Sequence, residues 1–153
     1  YMLGNGEEVM LAATDLLAET KVAPELSNEA HYYRAKAYLD AGKVEGAMDD
    51  LKILAKDTRN IYGAEAKYKV AQIYFDAGQT EQAEKEVLDY IEVSTPHTYW
   101  LARSFVLLSD VYMKLGRNLD AKQYLLSLKQ NYQADDDIAG MIESRLNKLN
   151  AEN

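Results

Sequence analysis

His31 and His97 are the two imidazoles of the chain, and no cysteine accompanies them. Thiol catalysis, cysteine-ligated zinc and disulfides are therefore excluded by composition. Neither histidine has a carboxylate or a second histidine at metal-ligand spacing, so both read as surface or cap residues. The acidic run Asp135–Asp137 has the charge for Ca²⁺ but lacks the alternating oxygen ligands and the glycine of a calcium loop. A helix cap explains it better. No nucleophile elbow and no glycine-rich phosphate loop is present. With no catalytic constellation, the chain reads as a non-enzyme, and no cofactor or metal is expected.

Composition narrows the partner classes further. The 153 residues include 25 acidic and 17 basic side chains, a formal net charge of -8. So acidic a surface repels nucleic-acid backbones and anionic lipid headgroups, and no Lys/Arg run forms a compensating patch. No apolar run approaches the ~20 residues of a membrane-spanning helix. The chain opens with Tyr1 rather than Met, which reads as a processed product or an excised piece of a larger protein.

The elements that would position any site announce themselves by repetition. YLDAGKVEGA (Tyr38–Ala47) is followed by YFDAGQTEQA (Tyr74–Ala83) and YMKLGRNLDA (Tyr112–Ala121). Each has tyrosine, glycine four places on, and alanine five further. The glycines Gly42, Gly78 and Gly116 lie 36 and 38 residues apart, and apolar residues spaced three and four apart flank each. The unit is therefore helix, tight turn, helix. Glycine at the end of the first helix supplies a left-handed turn. Ala47, Ala83 and Ala121, facing Ala35, Ala71 and Ser109, let paired helices approach, while the tyrosines are large enough to bridge to the next hairpin. Ser27, Thr80, Asn118 and Thr95, the last with Pro96 after it, stand where helix caps are expected. Residues 7–21 form one unpaired amphipathic helix that breaks at Pro24, and Tyr1–Leu3 would be all that remains of its partner. A last helix after Asp137 carries Ile138, Ile142, Leu146 and Leu149 on one face, with Asn147, Lys148 and Asn150 toward solvent.

This pattern (small residue, Tyr, Gly, Ala) resembles the tetratricopeptide repeat from Asn28 to about Tyr132. The resemblance implies an all-α, right-handed superhelical solenoid of helix-turn-helix hairpins with a C-terminal capping helix, the whole of 1–153 forming one domain. Its parts would be a partial repeat (1–24), three repeats (27–60, 61–95 and 96–133) and the capping helix (135–150). The long, aromatic-bearing connections, such as Ile91–Ala102, look like the bacterial cell-envelope branch, with a periplasmic or envelope-associated location. Trp100 there would staple the connection to the preceding hairpin.

In that family ligands meet the first helix of each hairpin. By register the groove would comprise Tyr32, Lys36, Leu39, Tyr68, Gln72, Phe75, Arg103, Val106, Asp110 and Met113. Tyr32 and Tyr68 stand where a chaperone-tail clamp needs polar groups, so that ligand is not expected. The implied function is a non-enzymatic scaffold binding a peptide or protein, without direct membrane insertion. Two alternatives stand beside it. One is a structural segment without its own ligand, self-associating through Val9, Leu16 and Leu17. The other is the regulatory repeat domain of an enzyme whose catalytic part lies elsewhere.

Overall fold

A computed structural model describes residues 6–17 and 24–151. Within them the chain is all-helical. The elements are α1 (Gly6–Leu17), α2 (Pro24–Asp40), α3 (Val44–Leu54), α4 (Ile61–Asp76), α5 (Thr80–Val93), α6 (Thr98–Lys114), α7 (Asn118–Asn131) and α8 (Ile138–Ala151). They form two compact units: one runs to Val70 and holds α1 to α3 with the first part of α4, and the other runs from Ala71. Tyr1–Leu3, the expected remnant of a partner helix, lies outside the described residues.

The repeated glycines do what their spacing predicts. Gly42, Gly78 and Gly116 have φ of 75°, 80° and 77°. In each turn the residue after glycine donates its N–H to the carbonyl of the motif tyrosine: Lys43 to Tyr38 at 2.8 Å, Gln79 to Tyr74 at 2.9 Å, and Arg117 to Tyr112 at 2.7 Å. The glycine N–H itself bonds to Leu39, Phe75 or Met113, completing the paired bonds of a Schellman motif. A Cβ added at Gly78 would meet nothing within 4 Å, so any cost of Gly78→Ala is conformational. We expect a loss of about 1–2 kcal/mol, read as a lower urea midpoint at unchanged slope.

The small residues are equally positioned. Ala35, Ala47, Ala71, Ala83, Ser109 and Ala121 are all buried, and α2 packs on α3 and α6 on α7 across them. In the first unit the core is mostly alanine around Leu51 and Leu54, which brings backbones close. The second uses larger groups, including Val87, Tyr90, Leu108, Val111 and Leu125. Tyr112 stacks on Tyr124 of α7, with ring centroids 5.6 Å apart, and is hydrogen-bonded to Glu84 of α5. The motif tyrosine thus ties its hairpin to the one before. Ile138, Ile142, Leu146 and Leu149 are buried along α8 while Asn147, Lys148 and Asn150 are exposed, and α8 packs on both α6 and α7. Burying each of these four side chains stabilises the end of the unit by roughly 1.5–3 kcal/mol.

Helix starts differ from expectation. Thr80 and Asn118 are the first residues of α5 and α7; Gln79 and Arg117 precede them as N-caps without side-chain cap bonds. Ser27 lies inside α2, which opens at Pro24, where a missing N–H costs nothing. Pro24 opens α2, and α1 is described over Gly6–Leu17; residues 18–23, on which the rest of the expected helix and its break would fall, lie outside the described residues. Thr95 forms a local turn by accepting the His97 N–H (3.1 Å), and Pro96 stays outside α6. Only the Asp135–Asp137 cap matches, through Asp136, whose carboxylate accepts the Ile138 N–H at 2.9 Å.

The connection to α4 holds a cap not foreseen. Asn60 precedes α4 and its side-chain oxygen accepts the N–H of Gly63, the third helical residue, at 2.8 Å. At Gly63 the helix meets the end of α3 directly. A Cβ there would lie 1.8 Å from the Asp57 carbonyl oxygen and 2.6 Å from that of Leu54.

Candidate functional site

The expected groove residues divide between the units. Tyr32, Lys36, Leu39 and Tyr68 belong to the first; Gln72, Phe75, Arg103, Val106, Asp110 and Met113 belong to the second. Tyr68 and Val106 are buried, at 6% and 3% exposure, and offer a ligand no surface. Their register matches that of Tyr32, but neighbouring helices cover them, so both serve packing rather than recognition.

In the first unit the α2 face is internally satisfied. Tyr32 donates its hydroxyl to the Glu65 carboxylate of α4, with both oxygens 3.1 Å away, and its ring packs on Tyr62 at 4.7 Å. Lys69 holds the same carboxylate at 2.9 Å. Lys36 keeps its ammonium 5.0 Å from the Tyr32 ring centroid, a cation–π contact. One helical turn away lies a charged cluster that no sequence motif marks. Asp50 of α3 has no exposed surface. It accepts from Arg34 Nε at 2.7 Å and Nη2 at 2.6 Å, a bidentate pair. His31 donates from Nδ1 to the same Asp50 oxygen at 2.7 Å, the tautomer a carboxylate acceptor requires. Arg34 also reaches Thr14 of α1 at 3.2 Å. His31 is thus neither a surface residue nor a cap: it locks α2 to α3. His97 does precede α6, without a side-chain cap bond.

In the second unit Arg103 donates to the Tyr99 hydroxyl at 2.9 Å, and that hydroxyl donates to Asp137 at 2.9 Å. The Arg103 guanidinium also lies over the Trp100 ring, 5.9 Å from its centroid. Arg103 is therefore engaged with the start of its own helix and the turn before α8. Gln72 donates to Asp76 at 2.8 Å, one turn along α4. Phe75, Asp110 and Met113, by contrast, come together. With Lys114 and Lys148 they line a recess of about 390 Å³. Asp110 is held from behind by Arg145, which donates from Nε at 2.7 Å and Nη2 at 2.9 Å. Lys114 and Lys148 are exposed and enter no ion pair among the described residues. The recess therefore has an apolar floor, a neutralised acid and two available ammonium groups. Sequence register located three of its five residues; Lys148 sits on α8, where it was read as a solvent-facing residue of a cap.

No group of carboxylates and histidines among the described residues could hold a metal ion. Tyrosine ionisation is the other titration of note. Burial raises Tyr90 to about 12, partly offset by its hydrogen bond to Thr95, and burial with Asp136 close by raises Tyr132 to about 12. Tyr32 and Tyr112 are pushed up further, first by burial and then by Glu65 and Glu84. Folded values above the ordinary 10.0 mean the protonated forms favour the fold. Their contribution is complete below pH 10 and is lost as pH rises through about 12. Absorbance at 295 nm should therefore show a group of tyrosines ionising late and together with alkaline loss of helix. Titration of all 12 tyrosines near their ordinary value with helicity retained would contradict this.

Two stretches match family models described as tetratricopeptide repeat, over residues 29–57 and 102–131. They fall on α2–α3 and α6–α7, whose turns carry Gly42 and Gly116. No curated protein and no solved structure matches the chain.

Proposed function

Because the chain is a tetratricopeptide-repeat protein, we propose that it is a non-enzymatic scaffold that anchors a peptide or protein segment at the recess of its second unit. Repeats of this kind are protein-interaction modules, and the proposal specifies where and what this one binds. The observation that carries it is the recess itself. Phe75 and Met113 sit with the exposed Lys114 and Lys148, in a chain whose net charge is -8. Aromatic and thioether side chains accept varied apolar groups, and two cations at the rim select a carboxylate-bearing segment. An extended or helical segment with acidic residues around one large apolar side chain fits this chemistry.

The test uses a labelled 12-residue peptide of alternating acidic and large apolar residues, and a twin with lysine at every acidic position. Fluorescence anisotropy should show binding of the acidic peptide, weakened about tenfold by Lys148→Glu and similarly by Phe75→Ala. Equal affinity for both peptides, or indifference to both substitutions, would sink the reading.

A further inference from the structure

Three charged residues line the recess of the second unit, and Asp110 opposes Lys114 and Lys148 in sign. Asp110 and Lys114 stand four residues apart on α6, with the acid on the N-terminal side. Along a helix that spacing ordinarily pairs a carboxylate with an ammonium. The chain uses it on α4, where Lys69 holds Glu65 at 2.9 Å. Asp110 is instead taken by Arg145 of α8, whose Nε donates to Oδ1 at 2.7 Å and whose Nη2 donates to Oδ2 at 2.9 Å. The guanidinium is fixed from its own helix as well, through Nη1 to the Met141 carbonyl at 3.2 Å. A planar fork meets both carboxylate oxygens at once, which a single ammonium does less well. The Arg145 and Asp110 side chains are only 27% and 24% exposed, whereas Lys114 and Lys148 stand open. Lys148 follows Arg145 by three residues, so the helix that supplies the neutralising group also supplies the second ammonium.

Building on the reading of the recess as a peptide site, we infer that Arg145 sets its charge selectivity. By saturating Asp110 it keeps Lys114 and Lys148 available to carboxylates of the bound segment. Arg145 acts through Asp110 and is a positioning residue, with the two lysines as the groups that meet the ligand. Without Arg145, the Asp110 carboxylate would draw Lys114 along α6 and would itself repel an acidic segment. The recess would then no longer favour acidic over basic partners.

Two variants of the full chain test this, Arg145→Met and the double variant Arg145→Met with Asp110→Leu. The double variant removes both members of the pair and leaves apolar contact between α6 and α8. Each is titrated with the labelled acidic–apolar peptide and with its lysine twin. In Arg145→Met the acidic peptide should weaken about tenfold while the twin strengthens. The double variant should regain the parental affinity for the acidic peptide. A merely structural role for Arg145 would weaken both peptides alike, with no recovery in the double variant. The Lys114 ε-methylene NMR signal gives a readout without peptide. It should move in Arg145→Met, as Lys114 turns onto Asp110, and return in the double variant. An unchanged peptide preference in Arg145→Met, a double variant that stays weak, or an unmoved Lys114 signal would overturn the inference. A parent chain that binds both peptides equally, or neither, would sink the peptide reading and any selectivity with it. The Lys114 signal would still decide whether Arg145 keeps that ammonium off Asp110.

Discussion

Replacing Asp50 with alanine is expected to destabilise the protein by about 3 kcal/mol, because it strands a part-buried guanidinium. The Asp50 carboxylate has no solvent contact, and both its oxygens are occupied by Arg34 and His31 at 2.6–2.7 Å. Without it, Arg34, whose side chain is 19% exposed, would keep just the Thr14 hydroxyl among these partners. A bidentate charge pair contributes little net stability over an apolar pair of the same shape, but half of one is costly. The double substitution Asp50→Leu with Arg34→Met should therefore lose less than Asp50→Ala alone. Urea unfolding followed by circular dichroism measures both. A loss below about 1 kcal/mol for Asp50→Ala, or a double variant worse than the single, would show that the cluster does not hold α2 to α3 in this way.

Gly63→Ala should be of similar severity for a different reason. The new methyl would sit 1.8 Å from the Asp57 carbonyl oxygen and 2.6 Å from that of Leu54. Both are backbone atoms, so no side-chain rotation relieves the overlap. Either α4 moves off the end of α3, or the Asn60 cap bond to the Gly63 N–H is given up. The cost is expected at about 3 kcal/mol or more, the upper end of overpacking. Gly140→Ala in α8 is the matched control. An added Cβ there meets nothing within 4 Å, and removing glycine from a helix interior should gain about 0.5–1 kcal/mol. If the two substitutions had equal effects, the close approach at Gly63 would be wrong.

What the sequence makes legible depends on whether a physical demand falls on one residue or on several distant ones. A left-handed turn at a helix end demands glycine at one place, so Gly42, Gly78 and Gly116 marked their turns and ended their helices as expected. Close approach of paired helices demands small residues, and Ala47, Ala83 and Ala121 are buried accordingly. Caps were read less well because several polar residues cluster at each helix start, and backbone geometry selects among them. Thus Thr95 forms a turn while the overlooked Asn60 caps α4.

Tertiary clusters leave weaker marks. Arg34 and His31 lie 16 and 19 residues before Asp50, on another helix, at no spacing that a metal or catalytic motif would use. Their pairing follows from how α2 and α3 face each other. The same limit explains Tyr68 and Val106. Register alone gives them the position of Tyr32, but exposure is set by the helices packed around them. Phe75, Asp110 and Met113 did emerge from register, and the structure adds Lys114, Lys148 and Arg145.

The most direct test of the central claim is an amide NMR footprint of the acidic–apolar peptide on the full chain. The scaffold reading predicts shifts centred on Phe75, Met113, Lys114 and Lys148, weakened together by Lys148→Glu and reduced by added salt. Shifts scattered over both units, or centred elsewhere and indifferent to Lys148→Glu, would contradict it.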